Sequence, residues 1–105
     1  MNLLIVLVLL QQLNFNFACK TTVYVKDCKD SPVKGATVRI KKCDGDVIEY
    51  KTDKEGTVKT SLCRKAICDV GVIAQIENGL IRAIPDNCSG TDEDFICRFK
   101  LCSGY

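Results

Sequence analysis

Apolar and polar residues alternate with a period of two along most of this chain. Ala36, Val38 and Ile40 alternate with Thr37, Arg39 and Lys41, and Phe95, Cys97, Phe99 and Leu101 would share one face with Ile96, Arg98 and Lys100 on the other. Successive strand residues point to opposite faces, so such alternation predicts half-buried antiparallel strands. Further strand-prone runs lie at 22–25, 47–52, 57–62, 70–76 and 80–84. No stretch repeats apolar residues at helical spacing, which predicts little helix.

The turn residues agree with this pattern. Asp44-Gly45 and Asn78-Gly79 tolerate positive φ and should each close a hairpin, while Asp53-Lys54-Glu55-Gly56 makes a longer turn and Ser31-Pro32 opens another after the first strand. Short strands joined at close spacing predict an all-β fold, a small disulfide-stapled antiparallel β-sandwich of six or seven strands.

The exception to alternation is the start of the chain. Residues 3–10 form an unbroken aliphatic run, followed by Gln11, Gln12, Asn14 and Asn16, with Ala18 as a small residue before a cut. The run is too short and too interrupted for a membrane span and has the length of a secretory leader. Residues 1–18 therefore read as a signal peptide and 19–105 as a single disulfide-rich domain, secreted and without a membrane span once the leader is removed. Eight cysteines fall in that domain: Cys19, Cys28, Cys43, Cys63, Cys68, Cys88, Cys97 and Cys102. An even count in a short secreted chain predicts a full set of disulfides, in a connectivity the spacing does not choose. The close pairs, Cys63 with Cys68 and Cys97 with Cys102, lack histidine partners, so disulfides are preferred over a zinc site.

One stretch carries a family resemblance. Asp30-Ser31-Pro32-Val33-Lys34-Gly35-Ala36-Thr37-Val38, followed by Thr52-Asp53-Lys54-Glu55-Gly56-Thr57-Val58, resembles the signature of prealbumin-like β-sandwich domains over about residues 21–62. These include the transthyretin-like and carboxypeptidase regulatory-like families, and residues 23–28 with Gly35-Ala36 and Cys43 are similar to the olive-pollen-allergen-like family. The resemblance implies a sandwich in which P-x-x-G-A-x-V opens a strand and T-D-x-x-G turns a hairpin. It implies a shape shared by carriers, adhesion modules, enzyme appendages and matrix proteins rather than one activity.

The chemistry is sparse. The chain has no histidine, which removes imidazole general bases and the usual nucleophile-activating arrangements, and bridged cysteines offer no thiolate. The acidic run Asp92-Glu93-Asp94 reads as a solvated loop, and Asp86-Asn87-Cys88-Ser89-Gly90 fails calcium-loop spacing, so no catalytic residue, metal or cofactor is assigned. The net charge is +2, but Lys and Arg concentrate before residue 66. Arg39, Lys41, Lys51 and Lys59 would form a basic binding face if they share the solvent side of adjacent strands. Asn87-Cys88-Ser89 is a glycosylation sequon. The expected function is that of a secreted effector or toxin-like protein, a monomer that binds an extracellular protein or anionic surface, with no nucleic-acid partner and no catalysis. A structural or adhesive extracellular module, and a protease inhibitor presenting Arg64-Lys65 between Cys63 and Cys68, are the alternatives.

Overall fold

The computed structural model describes residues 18–76 and 79–102. The leader read at 1–18 thus lies, up to residue 17, outside the described residues, as does Asn78 of the second hairpin. The predicted alternation becomes eight strands: β1 (Lys20–Asp27), β2 (Thr37–Lys42), β3 (Val47–Lys51), β4 (Thr57–Thr60), β5 (Ile67–Ile76), β6 (Gly79–Arg82), β7 (Ile84–Gly90) and β8 (Asp94–Leu101). They form two four-stranded sheets, ordered β4-β1-β8-β7 and β3-β2-β5-β6.

Alternation decides which residues meet between the sheets. Phe95, Cys97, Phe99 and Leu101 are all buried, as the period of two predicts, and Val23, Val25, Val38, Ile40 and Val72 are fully enclosed. β1 and β8 run parallel, pairing Thr21 with Phe95, Val23 with Cys97 and Val25 with Phe99, so the inward residues of both strands stand level. The other strand pairings are antiparallel. Alternation predicts antiparallel neighbours, so the parallel β1–β8 pair departs from that expectation; it joins strands from opposite ends of the chain, which the tertiary arrangement decides.

The turn chemistry is specific. Gly56 has φ 71°, donates to the Asp53 carbonyl at 2.9 Å and accepts from the Val25 N–H at 2.8 Å. A Cβ at this position would run into the Val25 carbonyl oxygen and the Val33 nitrogen, so glycine is required on both conformational and steric grounds. Buried Thr52 ties the same corner together: its hydroxyl accepts the Ala36 N–H at 2.9 Å and donates to the Val33 carbonyl at 2.6 Å. Asp27 accepts backbone N–H groups of Ser31 and Lys29, which holds its carboxyl below the ordinary carboxylate range, and Asp46 N–H does the same for Asp44.

All eight cysteines pair, as Cys19–Cys63, Cys28–Cys102, Cys43–Cys68 and Cys88–Cys97. The first joins the start of β1 to the segment after β4, and the second joins the ends of β1 and β8. The third closes β2 against the start of β5, and the fourth links directly opposed residues of β7 and β8. A small all-β protein closed by four disulfides suits an oxidising, extracellular setting, because a chain this short buries a marginal core.

Two elements differ from the sequence reading. Residues 84–90 form β7, although only Ile84 falls within a strand-prone run of the sequence. Their Pro-Asp-Asn-Cys-Ser-Gly composition has low strand propensity, and the strand is exposed along its whole length. Its pairing with β8 and the Cys88–Cys97 bridge supply the order that propensity does not. β5 begins at Ile67 rather than Val70, because Cys68 is bridged to Cys43 and Lys42 pairs with Ile67.

Candidate functional site

The site arises where the chain changes sheets. β6 ends at Arg82 in one sheet, Ala83 is buried, and β7 starts at Ile84 in the other. β6 therefore covers only the last four residues of β5, from Ile73 to Ile76. The contact that ends this coverage is the Ala83 N–H donated to the Val72 carbonyl at 2.8 Å. Peptide groups alternate in direction along a strand, so Val70 points its N–H and C=O groups to the same side as Val72, while the shift of the β2–β5 register between Asp69 and Ile67 interrupts the alternation at Cys68. On that side, among the described residues, no strand pairs with residues 67–71.

Departure of β7 leaves a groove between the open edge of β5 and the second sheet. Two depressions, of about 560 and about 400 Å³, meet at Asp69, Val70, Pro85 and Phe99. The floor is apolar, with Ile67, Val70, Phe95 and Phe99. Arg39, Lys41 and Arg82 border one end, Arg64 and Lys65 the other, and Asp69 is the sole carboxylate lining either depression. Arg39 is paired with Glu49 at 2.8 Å, and Arg64 lies over the Phe95 ring at 5.3 Å.

The predicted basic face forms only in part. Arg39 and Lys41 of β2 and Lys51 of β3 are exposed on the outer side of one sheet, where Lys51 Nζ donates to Thr37 Oγ1 at 2.6 Å. Lys59 is exposed on β4, which pairs with β1 in the other sheet, so it does not join them. The turn at 52–56 crosses between sheets; the period of two marks Lys59 as outward without saying which sheet carries it. Arg82 takes its place at the groove, a residue the sequence reading did not single out. Proline in a strand signals an edge, so Pro85 was the available clue that β7 lies at the edge of its sheet.

The remaining candidates carry little chemistry. Asn87 is exposed on β7, opposite Arg98, and accessible to modification. Asp92 Oδ1 accepts the Lys65 N–H at 2.9 Å and lies beside the sulfurs of Cys19 and Cys63. Those sulfurs are joined to each other, so they are not thiolate ligands. Arg64–Ala66 is a short 3-10 turn whose Arg64 N–H donates to the Asp92 carbonyl. A substrate-like inhibitor loop needs extended backbone, and this turn gives the protease-inhibitor reading no support. Compared with protein-family models, curated proteins and solved structures, the chain matches none.

Proposed function

We propose that this is a secreted, toxin- or effector-like binding protein that acts as a monomer on an extracellular protein or anionic surface, without catalysis. The observation that carries this reading is an apolar-floored, basic-rimmed groove beside an open strand edge, in a sandwich whose cysteines are all bridged. Disulfide closure supports use outside the producing cell, and an excess of cations around an apolar floor supports recognition of an acidic partner. The prealbumin-like relationship belongs with this proposal. Its support is local: Gly35 at φ 80°, Gly56 at φ 71°, and Ala36 buried under the opposing sheet.

Binding of fluorescently labelled oxidised protein to cells of a prospective target tissue tests the reading. Saturable binding that weakens with salt and disappears on reduction is expected. Absence of saturable binding, together with broad expression in matrix-producing tissue rather than a venom or salivary gland, would favour the structural module instead.

A further inference from the structure

We propose that the open edge of β5, residues 70–72, captures an extended acidic segment of a partner protein by strand addition. This rests on the binding reading above and names the chemistry of its partner. The other sheet edges are blunted against such pairing. β3 carries Lys51, β4 is four residues long and bears Lys59, β6 is four residues long, and β7 contains Pro85 with a register shift between Pro85 and Asn87. Short strands, lysine, proline and bulges are the usual protections of an edge. The regular open segment of β5 reads Val70-Gly71-Val72, with neither lysine nor proline, and the register shift against β2 lies before it, between Ile67 and Asp69. Among the described residues it has no strand on its free side.

A strand added there would take its register from the N–H and C=O of Val70 and the N–H of Val72, since the Val72 carbonyl already accepts the Ala83 N–H. Its inward side chains would lie on Val70, Pro85 and Phe99, which favours aliphatic residues. Its outward side chains would run beside Asp69, Gly71 and Ile73. There Gly71 leaves open space, and Lys41 and Arg82 stand within the same depression. Arg39 is already occupied by Glu49, which leaves Lys41 and Arg82 as the cations for incoming carboxylates at this end. The partner therefore alternates aliphatic and acidic residues, with main-chain hydrogen bonds supplying affinity and the alternate pockets specificity.

The test titrates the oxidised protein with a synthetic heptapeptide of alternating Glu and Val, followed by backbone amide NMR. Shifts should concentrate at Val70 and Val72 and shrink with added salt. A peptide N-methylated at alternate amides, or one with Lys for Glu, should not bind. K41E/R82E should weaken binding about tenfold without touching the core. V70P removes an edge N–H that β2 does not use, a place where a strand tolerates proline, and should abolish the shifts. If V70P fails to fold, K41E/R82E carries the test. No shift at these amides up to about 1 mM peptide, equal binding of the N-methylated peptide, or undiminished binding to K41E/R82E overturns the proposal. Concentration-dependent broadening of the same amides without peptide, with sedimentation as a dimer, would assign the edge to a second copy and overturn it too. Cell binding that survives both variants overturns this edge while leaving the binding reading intact. Absent cell binding with intact peptide shifts overturns the broader reading alone.

Discussion

Replacing Gly56 and Gly35 by alanine separates two reasons for glycine at a turn, backbone conformation and steric space. Both residues have positive φ, 71° at Gly56 and 80° at Gly35. Alanine in that region costs about 1–2 kcal/mol through the contact of Cβ with the following carbonyl. Gly35 has open space around its virtual Cβ, so Gly35→Ala should lose no more than that conformational cost. At Gly56 the Cβ meets the backbone of Val25, Pro32 and Val33, which no rotamer change relieves. The turn must shift, weakening the Val25 N–H to Gly56 carbonyl bond of 2.8 Å and the Val33 N–H to Val25 carbonyl bond of 3.0 Å. Overpacking of about 1–3 kcal/mol adds to the dihedral cost, for a total loss of about 2–5 kcal/mol. Urea unfolding of the two oxidised variants measures the difference through the midpoint at unchanged slope. Equal losses at the two positions would refute the steric argument, and a smaller loss at Gly56 would refute the turn geometry itself.

Other consequences follow from the same framework. Cys43→Ala with Cys68→Ala removes a bridge between exposed residues spanning a separation of 25, and chain entropy predicts a loss of about 3.5 kcal/mol in urea unfolding, with a steeper slope as the unfolded chain expands. Thr52→Val strands the Ala36 N–H and the Val33 carbonyl and should cost about 2–4 kcal/mol, whereas Thr52→Ser should retain most of that stability. Asp27 and Asp44 have carboxyls held low in the folded state, so the stability they contribute is present above their unfolded pKa and is lost as pH falls through the folded one. The urea midpoint should therefore fall on acidification below about pH 4, and Asp27→Asn with Asp44→Asn should flatten that fall.

The residues that were legible in the sequence share one property: their information is local. The buried face of β8 follows from Phe95, Cys97, Phe99 and Leu101 at every second position. The Asp53–Gly56 turn follows from a glycine that tolerates φ of 71°. β7 was not legible, because its strand state comes from β8 and a bridge to Cys97 rather than from its own residues. The basic face was half legible. Arg39, Lys41 and Lys51 fall together as hairpin neighbours, but Lys59 lies beyond a crossing between sheets.

By itself the sequence determined an all-β, cysteine-rich chain, the phase of each strong strand and the want of imidazole or free-thiol chemistry. Those are matters of residue type and of a two-residue period, which neighbouring positions settle. Only the tertiary structure decided which cysteines meet, that β1 and β8 run parallel, and that β6 and β7 divide between the sheets at Ala83. Each of these depends on contacts between residues far apart in the chain. The open edge of β5 is the sharpest case: it exists because a strand elsewhere leaves the sheet, and nothing in residues 67–72 records that departure.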